Sequence, residues 1–195
     1  MVRDSLRIVI LFIVLIFLGC GNSNRVDLTN RQTIQLNTDL SQLDKSDDDY
    51  FYVVDGDTMK FRFDGKIVTV RLIGIDTFET HKNNKAYRQA YENNISIDEV
   101  IRKGKKAKDY AKELLLKNSE YYFEYDEQFL DRYKRTLAYL WFNKDSMLNL
   151  KMVCDGYALP LTIKPDTKYA KEFQECYEQA KERGLGVWGD SLNEK

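Results

Sequence analysis

Two short acidic stretches carry the residues best suited to chemistry. The first is Asp55-Gly56-Asp57-Thr58, and the second runs Arg71-Leu-Ile-Gly-Ile-Asp76-Thr77-Phe78-Glu79-Thr80. Together they supply the carboxylates of Asp57, Asp76 and Glu79 and the guanidinium of Arg71. Carboxylate oxygens gather a hard cation such as calcium, and a forked guanidinium matches a phosphate. The combination predicts metal-assisted attack of water on a phosphodiester. Taken singly, Asp55 and Asp57 also read as turn formers, and Arg71 as an ion-pair partner of Asp76.

The rest of the composition excludes other chemistries. His81 is the only histidine, and the cysteines lack zinc spacing, which excludes a histidine-ligated metal and a Ser-His-Asp site. With 30 Lys+Arg against 31 Asp+Glu, the 195-residue chain has a formal charge of −1. It has no global basic signal of the kind expected of a sequence-reading DNA binder. Polyanion binding must come from local charge. Arg102, Lys103, Lys105, Lys106 and Lys108 form one basic run, which reads either as a guide for a polyanion or as a solvated helix face.

The elements that position these residues read as short strands and a few helices. Tyr50 to Val54 is a β-rich run ended by Asp55-Gly56. Met59, Phe61 and Phe63 alternate with Lys60 and Arg62, the period of a half-buried strand, and Asp64-Gly65 marks a hairpin. Ile67 to Ile75 reads as a third strand, so the two acidic stretches fall on neighbouring strands of a meander. Tyr121 to Tyr125 and Thr136 to Phe142 complete five. Residues 81–97 read as a mobile polar loop. A helix is expected over Ile97 to Lys117, with Asp98 and Glu99 early and Lys112 and Lys117 late. A second is expected from a Ser146 cap through Cys154. A third follows from an Asp166 or Thr167 cap through Glu182. Short hairpin-linked strands with interspersed helices predict an α+β fold, a five-stranded Greek-key β-barrel with three α-helices.

The N-terminus reads as a targeting segment. Arg3 and Arg7 precede the apolar run Ile8 to Leu18, which is too short to span a bilayer comfortably, and Gly19-Cys20 follows. This resembles a bacterial lipoprotein signal, with residues 1–19 cleaved and lipid on Cys20, although Phe17 stands where a smaller aliphatic residue is usual. A cleaved secretory peptide or an uncleaved anchor are the alternatives. All three export the domain, to a cell membrane or outer membrane or as a secreted protein. Residues 20–48 read as a polar acidic linker, 49–189 as the folded domain and 190–195 as a tail. In an exported protein Cys154 and Cys176 either pair or stay as partly buried thiols. Nothing in the sequence requires a dimer, and a monomer is expected.

Several stretches occur in an order that carries a family likeness. They are DGDT, RLIGIDTFET, DRYKRTLAYLW (Asp131 to Trp141), MLNLKMVCDGYA (Met147 to Ala158), Lys164-Pro165 and Gly186-Val187-Trp188. The chain resembles the staphylococcal nuclease (thermonuclease) family over about residues 50–189. The resemblance implies an OB-type barrel with three helices and a calcium-dependent, sugar-nonspecific nuclease. Its substrates would be DNA and RNA, cleaved at P–O5′ to leave 3′-phosphates. It implies Asp57 and Asp76 as calcium carboxylates and Thr77 as a carbonyl ligand. Glu79 would stand beside the attacking water, as base or positioner. Arg71 and Arg135 would bind phosphate, and Tyr133 would lie near the terminal phosphate of a nucleotide. Read alone, Arg135 is also consistent with a solvated charge. An inactive nucleic-acid-binding OB module is the alternative function.

Three positions depart from the family pattern. Phe78 replaces a common proline, which predicts a looser Glu79 loop or a contact to a base. Lys134 replaces a common glycine, which costs strain if the position needs positive φ. Leu159, Pro160, Leu161 and Ile163 stand where tyrosines commonly flank the base. Trp188, Phe61 and Phe63 are expected to pack in the interior rather than stack on bases.

Overall fold

Asp64 and Gly65 both take positive φ (48° and 69°), the backbone of a two-residue hairpin turn that follows the twist of its strands. That hairpin joins two strands of a sheet seen in a computed structural model, which describes residues 34–192. The expected signal peptide and Cys20 lie outside the described residues. The meander consists of β2 (Phe51–Asp55), β3 (Thr58–Phe63) and β4 (Lys66–Leu72), with Phe51 opposite Phe61 and Thr58 opposite Arg71. Beyond it come β6 (Tyr122–Glu124), β7 (Thr136–Asn143) and a two-residue β1 (Asp44–Lys45), in the order β1-β6-β7-β4-β3-β2. A short β8 (Ser146–Met147) pairs off β7. The fold is α+β and OB-type, with β1 and β2 at the two ends of the hydrogen-bonded path.

One pairing decides where the chemistry lies. Strands β4 and β7 run parallel, with Val70 opposite Thr136 and Arg71 opposite Leu137. This sets Arg71 close to the strand that begins just after Arg135. Behind the sheet, Phe61, Leu72, Tyr121, Phe123, Tyr139 and Trp141 form a buried core. Helix α2 (Ile97–Leu116) closes it with Ala107, Ala111, Leu114 and Leu115, and Ser96 caps its start by accepting from Glu99 N–H at 3.1 Å. Helices α3 (Leu148–Cys154) and α4 (Ala170–Glu182) are joined by a Cys154–Cys176 disulfide, which resolves the choice between pairing and thiols. As expected, Phe61 and Phe63 are used for packing: Phe61 is buried in the core and half-buried Phe63 rests against it, their rings edge-on to Phe123.

Several expectations are corrected. Residues 81–97 are not a loop: α1 (Asn84–Asn93) fills most of them. Asn83 caps it by accepting from Ala86 N–H at 2.8 Å, and Asn94 ends it in the left-handed conformation at φ 53°. There are thus four α-helices among the described residues rather than three. The third strand does not reach Ile75. Gly74 sits at φ 79°, and a Cβ there would lie 2.3 Å from the Phe173 ring, so the chain turns away. Asp76 falls instead in β5 (Ile75–Asp76), which pairs with β9 (Leu159–Pro160) in a separate two-stranded sheet. The two acidic stretches do meet on neighbouring strands, with Thr58 of β3 opposite Arg71 of β4, but Asp57 lies in the β2–β3 turn and Asp76 lies beyond β4. Packing also begins earlier than residue 49: Ile34, Leu36, Leu40 and Leu43 rest on the core, and β1 pairs with β6. The expected caps at Ser146 and Asp166 or Thr167 are replaced by Met147 and Tyr169, neither with a side-chain cap bond. Asp166 is instead buried and accepts from Gln128 N–H at 2.8 Å. The final 3-10 turns run Gly186–Leu192, into the expected tail.

Candidate active site

The Asp55–Thr58 turn is pressed onto the rest of the fold at Gly56. A Cβ there would lie 2.8 Å from Thr77 Cγ2 and 3.0 Å from Ala107 Cβ, so glycine permits the close approach. Next to it the Asp57 carboxylate is buried, with both oxygens engaged. Its Oδ2 accepts from Thr77 N–H at 2.9 Å and Thr77 Oγ1 at 3.1 Å, and its Oδ1 accepts from Thr58 Oγ1 at 3.0 Å. Thr77 is therefore joined to Asp57 through its N–H and hydroxyl. Its carbonyl accepts from Gln89 Nε2 at 2.9 Å, which leaves one lone pair on that oxygen.

Arg71, 9 % exposed, links both expected metal carboxylates. Its Nη1 is 3.2 Å from Asp57 Oδ1 and donates to Leu72 O at 2.9 Å, while Nη2 reaches Asp76 Oδ1 at 3.2 Å. Lys85, on the first turn of α1, adds a second cation. Its Nζ lies 2.9 Å from Asp76 Oδ1 and 2.8 Å from Glu79 Oε1. The other Glu79 oxygen accepts from Asn83 Nδ2 at 2.7 Å, so the helix cap also holds the carboxylate.

Arg135 comes from a local turn. Asp131 accepts from the N–H groups of Tyr133 at 2.8 Å and Arg135 at 2.9 Å, and pairs with the Arg135 guanidinium at 2.7 Å. Lys134 takes φ 61°, so this position does need the left-handed backbone, and its N–H donates to Asp131 O at 2.9 Å. Arg135 Nη1 lies 3.4 Å from Thr58 Oγ1, which connects it through Thr58 to Asp57. Tyr133 is 65 % exposed, with the guanidinium carbons of Arg132 and Arg135 at 4.8 and 5.5 Å from its ring centre.

One cleft of ≈ 680 Å³ is lined by Asp55, Asp57, Arg71, Glu79, Lys85 and Arg135 among others, with Tyr133 and Ile163 also on its wall, and Asp76 and Thr77 adjoin it through Arg71, Lys85 and Asp57. The carboxylates perturb one another. Burial and the neighbouring charge of Asp57 push Asp55 up to about 7. Burial and Asp57 likewise raise Asp76. Burial acts to raise Asp57 as well, but Arg71 and Lys85 outweigh it and hold the carboxyl below its ordinary value. Burial opposes the charge on Lys85, yet Asp76 and Glu79 keep its ammonium above the ordinary value.

Among the described residues no three acidic, histidine or cysteine side chains close around a point as a metal cage. What the cleft and the residues adjoining it offer is a set of hard oxygens. The Asp57 and Asp76 carboxylates converge on the one guanidinium of Arg71, and the Thr77 carbonyl has a lone pair remaining. Such all-oxygen, anionic donors fit calcium, which accepts solvent in its remaining positions.

A sequence profile described as staphylococcal nuclease homologue matches residues 69–190. The chain is 37 % identical over 138 residues to the thermonuclease of Staphylococcus hyicus, covering 71 % of this chain and 73 % of that one. It belongs to the staphylococcal nuclease family. The thermonuclease of Staphylococcus intermedius is 36 % identical over 136 residues, covering 70 % and 72 % of the two chains. The SPbeta prophage-derived endonuclease YokF of Bacillus subtilis is 32 % identical over 137 residues, 69 % of this chain and 41 % of that one.

Within this staphylococcal nuclease fold, the residues expected at the site do meet, since Asp57, Arg71, Asp76, Thr77 and Glu79 are joined directly or through Lys85 and Gln89. Sequence reasoning missed Lys85 and Gln89 because it read α1 as loop. It also missed Asp131, for which the four-residue spacing to Arg135 was an available signal. Phe78 does not face the cleft. It is 1 % exposed in a cluster with Ala86, Val100 and Val187, and edge-on to Trp188. The basic run is not one solvated face either. Lys103 is 2 % exposed, donates to Val187 O, and lies 6.0 Å from the Phe78 ring centre.

Proposed function

We propose that this protein is a nuclease that hydrolyses phosphodiester bonds of DNA and RNA without reading sequence, with calcium as its metal ion. The observation that carries this is the convergence of Arg71, Arg135, Glu79 and Asp57 on one cleft. Membership of the nuclease family supports the same reading. Asp57, Asp76 and the Thr77 carbonyl would hold the ion. When bound, calcium supplies Lewis-acid stabilisation of the phosphoryl oxygens.

The chain's own residues do the rest. Arg71 and Arg135 meet the charge that grows on the phosphoryl oxygens as water adds, a stabilisation worth roughly 10²–10³ in rate per lost donor. Glu79 accepts a proton from the water or fixes its direction, and Lys85 and Asn83 hold that carboxylate before substrate arrives. The bond to the 5′ oxygen breaks, that oxygen takes up a proton, and the product keeps a 3′-phosphate. Exposed Tyr133, flanked by Arg132 and Arg135, suits stacking or phosphate contact at the cleft mouth.

The same proposal includes export and lipid attachment at Cys20. The Cys154–Cys176 disulfide supports it, because such bonds persist in oxidising compartments. The test is cleavage of single-stranded DNA and of RNA by the purified chain in Ca²⁺ and in EGTA, with end-group analysis. Cleavage is expected only with Ca²⁺, leaving 3′-phosphate ends. Salt-dependent binding without turnover would replace this reading with that of an inactive nucleic-acid-binding module.

A further inference from the structure

The stretch Thr77-Phe78-Glu79 carries the carbonyl proposed for the ion and the carboxylate proposed for the water, and α1 and α2 hold it from behind. Gln89, on the second turn of α1, is 6 % exposed and uses both ends of its amide on this stretch. Its Oε1 accepts from Glu79 N–H at 3.0 Å, and its Nε2 donates to Thr77 O at 2.9 Å. The amide thus bridges the two residues that flank Phe78, whose buried ring anchors the middle. On α2, Gly104 fits against the same backbone: a Cβ there would lie 2.3 Å from Glu79 O and 2.6 Å from Phe78 O. Two hydrogen bonds and one close van der Waals face therefore fix a segment that a proline would otherwise stiffen.

We infer that Gln89 is a positioning residue for the hydrolytic reaction. It sets the direction of the Thr77 carbonyl and the backbone from which Glu79 reaches the water, and it touches no reacting atom itself. The inference rests on the role of Glu79 given under Proposed function. Only an uncharged amide of this length satisfies both partners. An ionised glutamate can accept from Glu79 N–H but cannot donate to Thr77 O, and a methionine fills the space while doing neither. Buried backbone groups left unpaired shift until they find water or another partner, and the carboxylate moves with them.

The experiment compares Gln89→Met, Gln89→Glu and Glu79→Gln in the full chain, with rates expressed per folded molecule from near-UV circular dichroism. Initial rates on single-stranded DNA give kcat and KM, and terbium luminescence competed by Ca²⁺ gives metal affinity without nucleic acid. Gln89→Met is expected to lower kcat roughly 10–100-fold and weaken Ca²⁺ binding, with KM changed less than about threefold. Gln89→Glu is expected to recover part of kcat. If Gln89→Met keeps wild-type kcat and Ca²⁺ affinity while Glu79→Gln loses activity, the inference fails and the Glu79 reading stands. It fails in the same way if Gln89→Glu loses as much kcat as Gln89→Met. Wild-type rates in Glu79→Gln would remove the Glu79 reading, and this inference with it.

Discussion

Arg71 and Arg135 line the same cleft, yet the fold holds them by different means. Arg71 lies in the interior, shared between Asp57 and Asp76, with its Nη1 also on the Leu72 carbonyl. Arg135 is held mainly by Asp131 in its own turn, and its Nη1 reaches across to Thr58 Oγ1 at 3.4 Å. One arginine is bound into the protein's stability, whereas the other is a local attachment. The contrast separates what the cleft needs for chemistry from what it needs to exist.

Removing each arginine tests that separation most strongly. Both Arg71→Met and Arg135→Met are expected to lower kcat by roughly 10²–10³ on single-stranded DNA. Arg71→Met should also cost about 3–5 kcal/mol in urea unfolding, since it leaves Asp57 buried without its cation. Arg135→Met should cost less, about 1 kcal/mol, since its pair with Asp131 is local and only partly buried. Equal stability losses in the two variants would erase the contrast.

Asp131→Ala is the next largest. Burial acts to raise this carboxyl, but the backbone N–H and guanidinium of Arg135 hold it below its ordinary value. Its loss should reduce kcat about 10-fold, as expected when the partner that orients a functional group is removed. A crystal structure of the variant should show the 131–135 turn altered and Arg71 in place. On the other half, Lys85→Met removes the ammonium that bridges Asp76 and Glu79. Ca²⁺ affinity read by terbium competition should rise by roughly 10-fold, about the effect of one unit charge near the surface of a site. Unchanged affinity would mean that Lys85 does not compete with the ion. The smallest effect is on the Arg135 side. Lys134→Gly relieves a left-handed lysine and should raise stability by about 0.5–1 kcal/mol.

The parts that were legible in the sequence are those fixed by local chemistry. Asp64-Gly65 gives a hairpin, alternation gives β3, and an apolar face with Asp98 and Glu99 early gives α2. The ordered motifs also point to Asp57, Arg71, Asp76 and Glu79 as one group. Helix α1 was hidden because its inward face is made of Ala86, Gln89 and Ala90, with no large aliphatic residue to mark a core-facing stripe. Lys85 and Gln89 were hidden with it. The end of β4 was illegible for another reason, since the atoms that forbid a side chain at Gly74 belong to Phe173, far along the chain. Phe78 misled because its burial depends on Val100 and Val187, which a local reading does not bring together.

The parallel pairing of β4 with β7 has a consequence for synthesis. Arg71 emerges from the ribosome well before the segment Thr136–Ala138 that pairs with Val70–Leu72, and β9, which braces Asp76, follows later still. A nascent chain has neither a two-arginine cleft nor a braced carboxylate until most of its length has been made. The proposed cleft is therefore completed late in synthesis, only after β7 and β9 have been made.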